Sequence, residues 1–380
     1  MQMRRRRTTV LALVIGTLLL LFGTSQAAVP AEKYPRLANY YLNPTLTPPI
    51  ADQLAKWDFL VLDMEVSYTT PELLQRIRAK NPDIIILAYV TSQEIAMRRA
   101  DITDHNNPHY QLFASIPDSW WLMDAKGSRT SFWQGTNMLD VTNAAPTVNG
   151  DRWNTFLPKF LHEHVMSTGL WDGIYYDNAW KNISWLNHGD LDLNRDGIAE
   201  SADALDIAWR DGMNTLLSTS RELEGDTVIL LGNGSGQYFS QLNGRLMEEF
   251  PNPEDASWSN AMKIYLDIMK NARKPSFVIL NGKSTTRQAD DFQSMRFALA
   301  STLLGDGFVS FDAGIALDHV QLWWYDTYSV YLGKPLGGAK DILRNNGTRL
   351  RASVWRRDFR DGIVLLNSAD NNQTIDLLDG

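Results

Sequence analysis

The chain has 380 residues, of which 44% are hydrophobic and 21% charged, a composition typical of a folded globular protein rather than a disordered one. Its 44 acidic and 36 basic side chains give a formal net charge of -8, which argues against nucleic-acid binding because phosphate contacts require clustered Lys and Arg. The absence of cysteine excludes disulfides, thiolate zinc sites and thiol nucleophiles.

The N-terminus has the order of a secretory signal peptide. Four arginines at residues 4–7 precede an apolar stretch from Thr8 to Phe22, and small residues follow up to Ala28. The apolar stretch of about 15 residues is shorter than the roughly 20 that span a bilayer. We therefore expect cleavage after residue 27 and a mature protein without an integral membrane span. It would be secreted and extracellular, or lie in the cell envelope of a bacterium; the alternative is an envelope scaffold anchored by an uncleaved leader.

Short apolar runs alternate with longer amphipathic stretches along the rest of the chain, which is typical of repeated βα units. The runs predicted to be strands are Leu37–Leu42, Phe59–Met64, Ile84–Val90, Gly173–Tyr176, Val228–Leu231, Arg245–Glu248, Phe277–Leu280 and Phe308–Phe311. The stretches predicted to be helices include Pro71–Lys80, Arg152–Ser167, Ser201–Glu224, Ala256–Ala272 and Ala289–Leu304. Eight such strands predict an α/β fold, a (β/α)8 TIM barrel.

Two regions depart from this alternation. Trp121–Asp124 and Thr130–Trp133 flank a glycine-containing turn and predict a hairpin in the loop after the third strand. Near the C-terminus, Arg351–Arg357 and Ile363–Asn367 flank an Asp-Gly turn and predict a short β appendage that is either minimal or truncated. The expected organisation is a signal peptide at residues 1–27, a (β/α)8 barrel at 34–340 and the appendage at 341–380.

Two acids at the ends of predicted strands carry the main functional signal. Asp177 follows Gly173 by four residues and Glu248 follows Gly244 by four, so each pair shares a strand face. In a barrel both acids would lie at the carboxyl-terminal rim, where active sites of this fold are built. Two carboxylates facing one cavity suit glycosidic bond cleavage, in which one protonates the leaving oxygen and the other acts as nucleophile or base.

Other interpretations of these acids stay open. Either acid alone could cap a helix or pair with an arginine. A register shift of one residue would replace Glu248 with Glu249. If the mechanism is retaining, we expect Asp177 to be the nucleophile and Glu248 the acid/base, and the separation of the two carboxyl groups decides between retention and inversion.

Four segments carry distinctive motifs: Asp172–Asn178, Glu248–Phe250, Trp324–Tyr328 and Leu332–Gly337. They resemble the hypothetical glycosyl hydrolase family 15, which is distantly similar to endo-α-1,4-polygalactosaminidases. The resemblance extends from about Tyr34 to about Asn367, most of the chain that follows the leader. It implies a (β/α)8 barrel and hydrolysis of a sugar polymer, with Asp177 and Glu248 as the acids of strands four and six.

Residues 192–203 match the twelve-residue calcium-binding loop. The predicted ligands are Asp192, Asn194, Asp196, Ile198, Glu200 and Asp203. Gly197 allows the sharp turn between ligands, but position 12 is Asp203 rather than the usual Glu, which shortens the closing carboxylate. We expect a structural Ca2+ and no organic cofactor; the alternative is a solvated acidic turn that caps the helix beginning near Ser201.

Aromatic residues concentrate in the loops expected at the barrel rim, where flat rings can pack against the C–H faces of sugars. They are Trp120, Trp121, Trp133, Trp180, Trp185, Trp323, Trp324 and Tyr325. Any single Trp could equally belong to the core. The candidate substrate-binding residues are Tyr41, Asp63, Tyr89, Asn178, Asn233, Asn281, Asp312, Trp324 and Tyr325, although Asp63 and Asp312 could instead be polar members of the barrel layers.

The sequence thus predicts a secreted glycoside hydrolase that cleaves a polysaccharide or oligosaccharide with an Asp/Glu pair. The alternative is a non-catalytic carbohydrate-binding TIM-barrel protein of the cell envelope. Two intact acids at the rim favour the enzyme, because a binding module has no need of a carboxylate pair.

Overall fold

A computed structural model describes most of the chain beyond its N-terminal segment. The described residues are 32–234, 237–252, 256–314, 317, 319–343, 353–369 and 371–375. The predicted signal peptide at 1–27 lies outside these ranges. Within them, no helix combines the length and the apolar character needed to cross a bilayer.

Strands and helices alternate through the central part of the chain. The strands are β1 Ala38–Tyr41, β2 Phe59–Asp63, β3 Ile85–Thr91, β4 Glu94–Ala96, β5 Thr136–Met138, β6 Gly173–Asp177, β7 Ile229–Gly232, β8 Gly244–Phe250, β9 Phe277–Lys283, β10 Phe308–Asp312, β11 Lys340–Asp341, β12 Val354–Phe359 and β13 Gly362–Asn367. The helices are α1 Pro48–Leu54, α2 Val66–Thr69, α3 Pro71–Lys80, α4 Pro108–Ala114, α5 Trp153–His164, α6 Ala202–Glu224, α7 Trp258–Asn271 and α8 Phe292–Leu303. Short 3-10 helices cover Met97–Asp101, Asp118–Trp120, Met166–Thr168, Leu186–Gly189 and Asp326–Ser329.

Eight parallel strands form a closed barrel in the order β1-β2-β3-β6-β7-β8-β9-β10. The last strand meets the first where the Val309 amide donates a hydrogen bond of 3.0 Å to the Arg36 carbonyl, and Leu37 and Val309 form a parallel bridge. The predicted (β/α)8 TIM barrel is therefore confirmed. All eight predicted strands are present, and α3 has the predicted bounds.

The hydrophobic core has two layers because successive side chains of a strand point to opposite faces. The barrel interior is filled by large apolar side chains, among them Phe59, Tyr175, Leu246, Phe277 and Phe308. The alternate residues pack against the surrounding helices. Toward the carboxyl-terminal rim the interior becomes polar, which opens the barrel to the site described below.

The long segment between β3 and β6 forms one wall of the rim. Its strands β4 and β5 pair antiparallel. The predicted hairpin follows a similar course: Met123 bridges to Arg129, and the Thr130 amide donates to the Leu122 carbonyl at 3.0 Å. At the C-terminus, β12 and β13 pair antiparallel around the predicted turn, and β11 adds a third strand. Arg357 of β12 forms an ion pair of 2.7 Å with Asp306, which fastens this small sheet to the barrel.

Candidate active site

The two predicted acids lie at the carboxyl-terminal rim of the barrel. Asp177 is the last residue of β6, the fourth barrel strand, and Glu248 lies in β8, the sixth. Two cavities of about 530 and 870 Å³ open at this rim. Both are lined by Phe132, Asn178 and Glu248, and Asp177 lines the larger one. The acids therefore lie where the two cavities adjoin.

Asp177 accepts three hydrogen bonds, all from neutral donors. The Tyr89 hydroxyl donates to Oδ2 at 2.7 Å, while the Asn178 backbone amide and the Asn233 Nδ2 donate to Oδ1 at 2.9 and 3.1 Å. Burial and then the negative charge of Glu248 raise the pKa of Asp177 to about 6, against the effect of these hydrogen bonds. Asp177 thus binds a proton more readily than an ordinary aspartate does.

The side-chain amide of Asn233 joins the two acids. Its Nδ2 lies 3.1 Å from Asp177 Oδ1 and 2.9 Å from Glu248 Oε2, so these two oxygens are at most about 6 Å apart. Carboxyl groups of retaining glycosidases are about 5 to 5.5 Å apart, and those of inverting enzymes about 6.5 to 9.5 Å. The limit of about 6 Å for this pair of oxygens lies below the inverting range.

Glu248 and Glu249 have different surroundings. The register between β8 and β9 shifts between Met247 and Phe250, and Glu249 adopts a positive φ of 52°. This irregularity turns the Glu249 carboxylate to the Lys283 ammonium at 2.8 Å, while Glu248 faces Asn233 and the cavities. Glu248 is therefore the residue that stands opposite Asp177.

A histidine that sequence reasoning missed completes the polar cluster. His319 is 2% exposed; its Nε2 lies 2.8 Å from Glu248 Oε1 and its Nδ1 lies 2.9 Å from Asp312 Oδ2. Burial by itself would lower the pKa of His319, but the hydrogen bonds and charges of the two carboxylates raise it to about 10. His319 lies in an irregular segment with no periodic pattern, so no local signal indicated its role.

A third carboxylate in the larger cavity was also missed. Glu94 opens β4, three residues after β3 ends. Its Oε1 accepts from Asn178 Nδ2 at 2.9 Å, and its Oε2 accepts from the Thr136 hydroxyl at 3.2 Å. Burial and then the charge of Asp177 raise the pKa of Glu94 to about 7. Glu94 comes close to Asp177 through the β3–β6 connection, which no strand periodicity describes.

The structure brings together some of the candidate substrate-binding residues. Asp63, Tyr89, Asn178 and Asn233 line the cavities. Asp63 is held by His109 Nε2 at 2.7 Å, and this contact keeps the pKa of Asp63 below its usual range although burial opposes ionisation. Asn281 and Asp312 lie behind His319, where Asn281 Nδ2 donates to Asp312 Oδ2 at 2.9 Å.

Other candidates lie elsewhere, and the structure corrects their placement. Tyr41 belongs to the outer core cluster, while its neighbour Tyr40 points into the barrel and lines the larger cavity, because strand faces alternate. Trp324 packs edge-on against Trp57, with ring centroids 5.3 Å apart. Tyr325 is buried among the aromatic rings beside α8 and β10. Neither Trp324 nor Tyr325 lines the two cavities.

The rim aromatics divide in the same way. Phe132, Trp180 and Trp185 meet edge to face, with centroid distances of 4.5 to 5.6 Å, and line the smaller cavity. Trp133, 49% exposed, lines the larger one. In contrast, Trp120 and Trp121 of the same loop are buried in the core. Some aromatic residues of the rim loops therefore line the cavities, while others pack in the core behind them.

The predicted calcium loop wraps around its first acid. Asp192 Oδ1 accepts from the backbone amide of Arg195 at 2.6 Å, and its Oδ2 accepts from Gly197 at 2.8 Å. Gly197 has a φ of +85°, as the sharp turn requires. Among the described residues, one group of His, Asp and Glu side chains has three potential ligand atoms within 4.8 Å of one another, namely Asp63, Glu65 and His109. The side chains of the predicted calcium loop do not converge in this way.

A family model described as hypothetical glycosyl hydrolase family 15 matches residues 78–363. The chain belongs to this family. The resemblance seen in the sequence is thereby confirmed, and membership supports a glycoside hydrolase that acts on carbohydrate. No curated protein matches the chain.

Two solved structures show distant similarity to this chain. One is the chitinase domain of the spore coat protein CotE from Clostridium difficile, with 13% identity and a TM-score of 0.27 over 57% of this chain and 51% of that one. The other is a variant of the trehalulose synthase MutB in complex with Tris, with 12% identity and a TM-score of 0.39 over 72% and 64%. The chain thus spans about half of the first and less than two thirds of the second.

The raised pKa of Asp177 makes a prediction about stability. The pKa of Asp177 rises from 3.8 in the unfolded chain to about 6 in the folded protein. Because the unfolded state loses this proton first, the free energy of unfolding falls as pH rises through that window. Asp177→Asn removes this cost, so we expect the variant to gain up to about 3 kcal/mol over wild type between pH 4 and 7 and to show no such gain at the acid end. Urea unfolding at several pH values measures it.

The control lies at the other end of the same strand. Asp172 forms an ion pair of 2.8 Å with Arg78, so Asp172→Asn should lower the free energy of unfolding at pH 7. A pH-independent difference between Asp177→Asn and wild type would contradict the raised pKa.

Proposed function

We propose that this protein hydrolyses glycosidic bonds of a polysaccharide or oligosaccharide with Asp177 and Glu248 as its carboxylate pair. The observation that carries the proposal is the Asn233 bridge, which holds the two acids within about 6 Å where two cavities adjoin at the barrel rim. Family membership supports the reaction class independently of this geometry.

The short spacing favours a retaining mechanism. One carboxyl group protonates the leaving oxygen while the other attacks the anomeric carbon and forms a glycosyl ester. Water then attacks the same carbon and gives a proton to the first carboxylate, while the ester bond breaks. This second displacement releases the sugar with its original configuration. A water molecule need not fit between acid and sugar in the first step, so the close approach imposed by Asn233 suits this sequence.

The walls of the cavities suit a sugar chain. Phe132, Trp180 and Trp185 present apolar ring surfaces beside Glu248, and Trp185 is 52% exposed. Such surfaces pack against sugar C–H faces. Asn178 and Asn233 supply amide groups to the same cavity, where they could hold hydroxyls in a fixed orientation.

Matched variants test the carboxylate pair. We expect the protein to release reducing ends from at least one member of a panel of bacterial and plant polysaccharides. Asp177→Asn and Glu248→Gln should each reduce the rate by at least about a thousandfold, because each removes one half of the proton-transfer and attack machinery. Proton NMR of the first released anomer should show retention.

Glu249→Gln is the control, because Glu249 is paired with Lys283 and has the same chemistry one residue away. It should keep most of the activity. Equal losses in the Glu248 and Glu249 variants would contradict the assignment. If wild type bound glycans but released nothing, the protein would be a carbohydrate-binding module instead.

We further propose that residues 192–203 bind a structural Ca2+. The loop supplies hard oxygen donors in the expected order, and the amides that point at Asp192 already give the backbone a calcium-loop turn. The loop also packs on the β3–β6 connection: Asp192 bridges to Met123, and Arg195 Nη2 donates to the Trp121 carbonyl at 2.9 Å. A bound ion would therefore stiffen a wall of the site rather than take part in the reaction.

Calcium should raise the melting temperature of the protein, and chelation should reverse the rise, since a ligand bound only by the folded state stabilises it. Asp196→Ala should abolish the calcium-dependent part of the shift. Asp211→Ala on the exposed side of α6 should leave it intact. Differential scanning fluorimetry with and without calcium measures the effect, and identical melting curves would exclude the site.

We also propose that the protein is exported with removal of its first 27 residues. The support is the order of arginines, apolar stretch and small residues in the sequence. N-terminal sequencing of protein recovered from the envelope and medium of an expressing bacterium should begin at Ala28. A chain that retains Met1 would instead support the anchored scaffold.

A further inference from the structure

We propose that His319 is a positioning residue that keeps Glu248 ionised, which makes Glu248 the attacking carboxylate and Asp177 the acid. The inference rests on the proposed function and assigns the roles in the opposite sense to the one expected from the sequence. It is carried by a chain of contacts in which the His319 ring lies between two carboxylates, Asp312 and Glu248.

Both ring nitrogens of His319 are committed to carboxylate oxygens. Nδ1 lies 2.9 Å from Asp312 and Nε2 lies 2.8 Å from Glu248. A neutral imidazole carries only one N–H, so its second nitrogen would present a lone pair to a carboxylate. An imidazolium satisfies both contacts at once, because it donates from both nitrogens.

Asp312 is itself held as an acceptor. Asn281 Nδ2 donates to its Oδ2 at 2.9 Å, and the Gly314 amide donates to its Oδ1 at 2.8 Å. Asp312 is 2% exposed, so it has little contact with water. Both oxygens of this buried carboxyl group are thus used as acceptors, and they fix the orientation of the ring beside them.

The position of the ring is set from other sides as well. The Tyr40 ring packs against it with centroids 4.4 Å apart, and the His319 carbonyl accepts from the Leu42 amide at 3.0 Å. Among the described residues, the titratable groups that face the imidazole are thus Asp312 from β10, Glu248 from β8 and the Tyr40 phenol from β1. Burial raises the pKa of Tyr40 well above its ordinary value, so this phenol is neutral.

The two acids of the pair therefore differ in their partners. Glu248 receives a hydrogen bond from a cation, whereas Asp177 receives its hydrogen bonds from Tyr89, Asn178 and Asn233, which are neutral. A cation stabilises the carboxylate beside it more than a neutral donor does. A proton taken up by the pair consequently goes to Asp177.

The reaction follows from this difference. A Glu248 oxygen attacks the anomeric carbon as the bond from that carbon to the leaving oxygen breaks, and the leaving oxygen takes the proton of Asp177. Water next forms a bond to the anomeric carbon and gives a proton to the Asp177 carboxylate, while the bond to Glu248 breaks. His319 keeps its proton throughout and stabilises the carboxylate that is released in the second step.

The charge of His319 can be measured without any substrate. The full chain labelled with ¹⁵N-histidine has six histidines, and His319→Gln assigns the signal of interest. We expect both nitrogens of His319 to be protonated at pH 8, where an ordinary histidine is neutral. Asp312→Asn should move the titration of His319 down by at least about one pH unit, because it removes one of the two carboxylates.

The pH profile of hydrolysis tests the role of that charge. His319→Gln keeps a hydrogen-bond donor but loses the cation, so the acid limb of kcat should move to higher pH by at least about one unit, with a smaller change in KM. A purely structural role would lower activity without moving the limb. His164→Gln on the outer face of α5 is the matched control and should leave both the limb and the His319 signal unchanged.

The outcomes separate this inference from the proposed function. A His319 that titrates near pH 6.5, or an unmoved acid limb in an active His319→Gln variant, would overturn the inference while hydrolysis stood. If no glycan were cleaved, the proposed function and the assignment of catalytic roles would both be wrong. An imidazolium signal would then show only that a charged His319 contacts Glu248.

Discussion

The carboxyl ends of eight parallel strands meet at one rim because the sheet closes on itself. The contact of Val309 with Arg36 joins the last strand to the first. This closure brings Asp63, Asp177 and Glu248, from three separate strands, to one cavity, with Asp312 of a fourth behind them. Each acid comes from a different part of the chain, and the parallel order of the strands brings all of them to the same rim. The negative charges of these carboxylates repel one another, and the other residues of the site offset this repulsion.

That repulsion is relieved unequally. His109 binds Asp63, and His319 binds both Glu248 and Asp312. Within the described part of the chain, the hydrogen-bond partners of the Asp177 carboxylate are all neutral, and its pKa is raised to about 6 by burial and by Glu248. Unequal compensation is what a two-carboxylate enzyme needs, since one group must hold a proton while the other stays charged. In the proposed mechanism, the roles of the two acids follow from where the His319 imidazole lies, rather than from any intrinsic difference between Asp and Glu.

The connection between β3 and β6 gives the rim its walls. It places Glu94, Phe132 and Trp133 at the cavities and buries Trp120 and Trp121 behind them. The loop at residues 192–203 packs on the same connection through Arg195. Because the two segments share these contacts, order in the acidic loop would be transmitted to the wall that carries the aromatic rings. A TIM barrel commonly varies its site in this manner, by changing loops over a constant set of strands.

The sequence by itself determined the eight strands, the barrel and the location of Asp177 at the rim, because these depend on local periodicity and on the hydrophobic runs between turns. It left Glu248 and Glu249 undecided, since an irregularity in β8 interrupts period two at that point. It also placed Tyr41 where Tyr40 lies. The Tyr41 placement is off by one residue because a strand buried on both faces carries no alternation of polarity to mark its inner side.

Only the tertiary structure decided which charges are neutralised and by what. Glu248 and His319 are 71 residues apart, and Glu94 meets Asn178 across 84. Contacts over such separations leave no local pattern, because neither partner needs its neighbours in sequence to have a particular polarity. The sequence therefore specified the acids and the fold that gathers them, while the folded chain alone specified their partners and, through those partners, their protonation.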